Sequence, residues 1–159
     1  MAVFYVFQGE TYDQERPGGY VWAPKLNRNG GKNAGYSMMT NIRKGDFILH
    51  NVTGKVVSIS IAQTDYYEAK EPHELVVADT SVDWDEAGYR VDTDYFDFDV
   101  PLLTITYKEW LEEHYIEAVL LQELEEGNSS ICAIWQMNML SFFLKRRSSC
   151  KETVMSLNI

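Results

Sequence analysis

The sequence predicts a mixed α+β domain, built as a small, strongly bent β-sheet or barrel with a few helices packed on its outside. Three observations lead there. Ala2-Val3-Phe4-Tyr5-Val6-Phe7 is apolar without a break, the pattern of a strand buried on both faces. Asp46 to Asn51 and Lys55 to Gln63, joined by a turn at Val52-Thr53-Gly54, read as a β-hairpin. Helical periodicity, by contrast, is sustained only over Tyr107 to Glu126.

Taken in order, Gln8 to Asp13 leaves the first strand as a polar loop, and Pro17-Gly18-Gly19 signals a turn. Tyr20 to Ala23 is a short strand halted by Pro24. Residues 25–35, rich in Asn, Gly and Lys, form a loop, and Tyr36 to Ile42 one or two helical turns. In the second hairpin strand Val57, Ile59 and Ile61 alternate with Ser58, Ser60 and Ala62. One face therefore carries bulk, and the other leaves room for a helix or a ligand. Thr64 to Glu86 is a long, acidic, irregular loop. Gly88 to Phe98 returns to strand, with Asp92, Asp94 and Asp97 protecting an exposed edge, and Pro101 breaks it. Tyr107 to Glu126 is a helix with Trp110 on its apolar stripe. Ile131 to Trp135 is a last strand, and Leu140 to Leu144 a short helix ending in Lys145-Arg146-Arg147. A single domain over 1–147 with a tail over 148–159 is expected.

The chain has 159 residues, 45% of them hydrophobic and 13% aromatic, enough for one core. It has no apolar run of membrane-spanning length and no signal peptide at Met1-Ala2-Val3-Phe4. Cys132 and Cys150, its only cysteines, lack metal spacing and read as free thiols of a cytoplasmic protein. The net charge of −10 argues against a polyanionic partner if spread evenly, but it is not. From Arg16 to Gln63 every charged residue but Asp46 is basic, whereas from Asp65 to Glu126 only Lys70, Arg90 and Lys108 are.

No glycine-rich phosphate loop with a lysine, no paired-histidine metal motif and no nucleophile elbow occurs. His50, His73 and His114 sit in unlike contexts, and the acids at 92, 94, 97 and 99 lack calcium-loop spacing. The expectation is a binding module with no catalytic residues, metal or cofactor.

Phe4-Tyr5-Val6-Phe7-Gln8-Gly9-Glu10-Thr11-Tyr12, followed by Gly19-Tyr20-Val21-Trp22-Ala23-Pro24, resembles the start of a YTH domain. The hairpin strand Gly54 to Ala62 is similar to that family's central hairpin. Trp84, with Gly88-Tyr89-Arg90-Val91-Asp92 and the exit Asp99-Val100-Pro101-Leu102, resembles its second cage tryptophan and following strand. Lys44-Gly45-Asp46 looks like the related EVE domains. The resemblance covers roughly residues 3–105 and implies the PUA-like superfold, a twisted β-barrel with flanking helices. It departs at Gln8-Gly9, where those domains carry a basic residue, and in its acidity.

The resemblance implies recognition of a modified, methylated base, as at the N-terminus of bacterial modification-dependent restriction proteins. A base must leave the stack to be read, at a cost of a few kcal/mol in a duplex. Stacking on aromatic rings returns about 1–3 kcal/mol per base. Trp22 and Trp84 are the expected walls, extended by Tyr20, with Gln8 and Thr11 reading the base edge and Asp65 accepting from an exocyclic amine. Lys25, Arg28, Lys32, Arg43 and Lys44 are the expected phosphate contacts. The partner is DNA with a modified base, or RNA, with a nuclease or NTPase subunit in cis or trans. Two other readings stand beside this one: an RNA-binding PUA/ASCH-like module without a cage, and a small nuclease of the ASCH type.

Overall fold

The computed structural model describes residues 1–27, 30–77, 87–107 and 131–135. They form a mixed α+β protein. Its strands are β1 (Val3–Phe7), β2 (Tyr20–Pro24), β3 (Phe47–Val52), β4 (Lys55–Ala62), β5 (Tyr67–Lys70), β6 (Ala87–Leu103) and β7 (Ile131–Trp135). Three short helices accompany them: α1 (Tyr12–Gly18), α2 (Ala34–Met38) and α3 (His73–Val77). The strands join in one sheet in the order β2-β6-β4-β3-β1-β7, with β5 also on β6, and the sheet curls into a half-barrel. β1 runs parallel to β3, and the other pairings are antiparallel.

The expected hairpin lies at the middle of this sheet. Thr53 and Gly54 both take positive φ, 47° and 77°, the turn that matches the strands' right-handed twist. The Asn51 side chain accepts from the Gly54 amide at 3.0 Å and holds the turn closed. β1 is buried along nearly its whole length, in keeping with its unbroken apolar run, and it pairs with β3 on one edge and β7 on the other.

Four expectations are corrected. Residues 12–18 form α1, not a loop and turn, and Gly19 caps it at φ 66°. The only buried residue of this helix is Glu15, so it carries no apolar stripe to betray it. The span 64–86 is not irregular throughout, since β5 and α3 lie within it. Pro101 does not break its strand, for β6 runs on to Leu103. Between the pairs Ser58–Asp97 and Val56–Leu102 the register slips, so β6 bulges there and Pro101 needs to supply no ladder hydrogen bond. Nor does Asp92 guard an edge. It lies opposite Tyr20 in β2, and its carboxylate accepts from Arg90 and Tyr67.

Phe4 and Val6 of β1, Val21 and Ala23 of β2, Ile48, Ala62 and Val91 meet Met39 and Ile42 in one buried cluster. Strands as far apart in the sheet as β1 and β2 share it, as on the inner face of a curl. Trp84, Trp110 and Arg28, the expected helix 107–126 beyond its first residue, the expected helix 140–144 and the tail from 148 lie outside the described residues.

Candidate functional site

Two groups of side chains on the inner face have chemistry beyond packing, one at each end of the apolar cluster. The first is an aromatic and basic rim. Tyr36, Tyr66 and Tyr89 are half-buried against the cluster. Tyr89 reaches it by strand alternation with Val91, and Tyr66 from the link between β4 and β5. The rings of Tyr66 and Tyr89 meet edge to face with centroids 6.2 Å apart. Each carries a cation over its ring: Lys25 Nζ 5.7 Å from the centre of Tyr89, and the Arg43 guanidinium 5.5 Å from that of Tyr66.

Local hydrogen bonds preset this rim. Arg43 Nη1 donates to the carbonyls of Thr40 and Ile42 at 2.7 and 2.9 Å, which aims its guanidinium. Asp46 accepts from the Arg43 amide at 2.9 Å, and Asp65 from the Lys44 amide at the same distance. Lys25 is also paired with Glu68 at 2.8 Å. Asp65 and Lys44 are exposed beside Tyr66. Lys32 is exposed on the neighbouring loop, where residue 32 bridges to Leu26.

The second group is a buried polar network. Continuing the same face, Gln8 follows Val6, His50 follows Ile48, and Ser60 and Ser58 precede Ala62. His50 Nε2 lies 2.7 Å from Ser60 Oγ, and His50 Nδ1 is hydrogen-bonded to Gln8 Oε1. Gln8 Nε2 donates to Glu15 Oε2. The Thr11 hydroxyl donates to the same oxygen at 2.9 Å, and the Trp22 amide to Glu15 Oε1 at 2.7 Å. The His50 ring stacks on Tyr95, centroids 4.4 Å apart at 32°. Over them lies Tyr12 of α1, its hydroxyl 2.8 Å from Ser58 Oγ and 3.2 Å from Asp97, whose carboxylate also takes Arg16. The room left by Ser58 and Ser60 is thus filled by Tyr12 and His50.

Burial sets the electrostatics of this network. It pushes Glu15 up to about 7, against the opposing effects of the hydrogen bonds from Trp22, Gln8 and Thr11 and of the Arg90 charge. It pushes His50 down to about 3, so the imidazole is neutral at physiological pH. The guanidinium of Arg16 holds Asp97 below the usual carboxylate range.

The expected site residues separate accordingly. Gln8 and Thr11 come together, but on Glu15. Lys25, Arg43, Lys44 and Asp65 come together at the rim. Tyr20 and Trp22 share a strand face, and it is the face turned away from the inner cluster. Both are buried with Leu75 of α3, Trp22 at 4% exposure. The indole lies across Gly88, where a Cβ would fall 2.3 Å from the ring, and its N–H donates to the Ala69 carbonyl at 3.3 Å. Arg90 stands over Tyr20 at 4.2 Å. Glu15, His50, Tyr12, Tyr66 and Tyr95 escaped the sequence reading. Of these, only the small residues opposite His50 left a trace. Among the described residues no three His, Cys, Asp or Glu side chains gather as a metal site. No described helix is long and apolar enough to cross a membrane.

No protein-family model matches the chain, and no curated protein does. A protein of Rhodopseudomonas palustris, solved by NMR in a structural genomics programme, is similar in structure. It has 14% identity and a TM-score of 0.48, over 86% of this chain and 85% of that one.

Proposed function

We propose that the chain is a nucleic-acid-binding module of PUA-like, EVE/YTH-like type that flips and recognises a modified base, with DNA as the partner. The observation that supports this is the rim: two half-buried tyrosines, each with a cation over it, beside the exposed Lys44 and Lys32. A nucleotide offers a flat π-face and a phosphate, and such a rim answers both. Base contact falls to Tyr66 and Tyr89, with Trp84, which closely precedes Tyr89 in sequence, as a further wall. Arg43, Lys44, Lys32 and Lys25 then hold the flanking phosphates, and a nuclease or NTPase subunit acts on the bound site.

A second reading, an RNA-binding PUA/ASCH-like module without a cage, is favoured by one observation. Trp22, buried beneath Leu75 and across Gly88, offers no open indole face.

Fluorescence anisotropy at low salt with methylated and unmodified DNA and RNA oligonucleotides separates the two. A reader prefers the methylated strand by at least about fourfold, the value of one buried methyl at ~0.8 kcal/mol. Equal affinity for methylated and unmodified strands supports the second reading. Absence of binding to all of them overturns both.

A further inference from the structure

Glu15, Gln8, His50 and Ser60 form a line of hydrogen bonds through the interior, from α1 to β4, with one long side branch from Gln8 Nε2 to the Tyr95 hydroxyl at 3.4 Å. All four are at most 3% exposed. With Glu15 ionised, the direction of every bond along the line is fixed. A carboxylate can only accept, so the Gln8 amide must turn its NH2 towards it. Gln8 Oε1 then faces His50 and takes the Nδ1 hydrogen. That leaves His50 Nε2 bare, to accept from the Ser60 hydroxyl.

A proton on Glu15 breaks this pattern. The acid needs an acceptor, yet in the structure the Trp22 amide, the Thr11 hydroxyl and the Gln8 amide all donate to it, and of these only the hydroxyl and the Gln8 side chain can turn to accept. The backbone amide cannot reverse. The Gln8 side chain can, by a half-turn that presents Oε1 to Glu15 and NH2 to His50. The imidazole must then carry its hydrogen on Nε2 and donate to Ser60. We propose that these four residues are a proton-responsive relay, in which one proton taken up by Glu15 flips the Gln8 amide and exchanges the His50 tautomer. The balance is one proton gained from solvent, on Glu15. His50 gives up its Nδ1 hydrogen and takes one at Nε2 by exchange, and stays neutral.

The surroundings permit this. The groups facing Glu15 are Arg90, Tyr95 and Tyr20, and those facing His50 are Asp97, Tyr12 and Tyr95. Asp97 is engaged by Arg16, and burial keeps each tyrosine protonated. Burial places the Glu15 midpoint at about 7 and the His50 midpoint at about 3, so one group titrates near neutrality and the other does not. Because Glu15 also holds the Trp22 amide, the relay ties a proton to the seating of α1 against β2. It does not depend on the nucleic-acid reading.

Long-range 1H–15N spectra of the His50 ring, followed from pH 5 to 9 with the Glu15 carboxyl carbon, test it on the native protein. The expected result is Nδ1–H above pH 7 and Nε2–H below, with the ring and the carboxyl carbon sharing one midpoint. A ring that keeps Nδ1–H throughout overturns the relay, because Thr11 would then have served as the acceptor. So would two separate midpoints. Glu15→Gln, neutral at every pH, is expected to hold the Nε2–H tautomer throughout. A folded Glu15→Gln protein whose ring still switches near pH 7 also overturns it.

Discussion

Glu15 and His50 are both buried, and their burial acts on stability with opposite signs. Glu15 titrates at 4.5 when unfolded and about 7 when folded. Its contribution is fully present below 4.5 and lost as pH rises through 7. His50 titrates at 6.5 unfolded and about 3 folded, so its contribution is present above 6.5 and lost as pH falls towards 3. Between pH 6.5 and 4.5 the two slopes, each about 1.4 kcal/mol per pH unit, oppose one another. The native protein should therefore show a near-flat stability in this window by urea denaturation. Glu15→Gln removes one slope, and the variant should lose on the order of 2 kcal/mol as pH falls through the same window. A variant as flat as the native protein would mean that the two groups do not titrate as their burial dictates.

At the scale of elements, β2 and β6 are matched by one residue that is absent of side chain. The Trp22 indole occupies the space a Cβ at residue 88 would fill. Gly88→Ala should cost about 1–3 kcal/mol, the range for overpacking a closed core. In a Trp22→Ala background the same change should cost much less, and a double-mutant cycle measures the difference. Additive costs would show that the two do not share the space. In the hairpin, Thr53 is a β-branched residue at φ 47°, a conformation that costs ~1–2 kcal/mol and that asparagine tolerates better. Thr53→Asn should raise the melting temperature, and a lowered one would contradict the turn geometry. These elements differ in how legible they were. The hairpin, β1, β2 and β7 stood out because apolar alternation or unbroken apolar runs record burial directly. Helix α1 did not, because what anchors it is a buried carboxylate held by three donors, which composition cannot distinguish from a solvated acid. Pro101 misled because a bulge took it out of the ladder. Of the site, the basic residues were legible as a segment of one sign, whereas the fold alone brings Tyr66 of the β4–β5 link to Tyr89 of β6.

For the whole molecule, a net charge of −10 is compatible with a basic rim because the cations there, Lys25, Arg43 and Lys44, outnumber the exposed acids beside them, Asp65 and Glu68. Lys25, Arg43 and Lys44 lie around Tyr66 and Tyr89, while Asp97 and Arg16 sit beside Tyr12 at the polar end of the sheet. If the rim holds phosphates, binding must weaken with salt as neutralised phosphates release their counterions. The direct measurement is the slope of log affinity against log salt, for the native protein and for Arg43→Ala/Lys44→Ala on one single-stranded oligonucleotide. Two lost phosphate contacts should flatten the slope by about 1.4, at roughly 0.7 per contact on a single strand. They should also weaken modified and unmodified oligonucleotides alike. A variant that keeps the native slope would contradict the account and remove the rim from the interface.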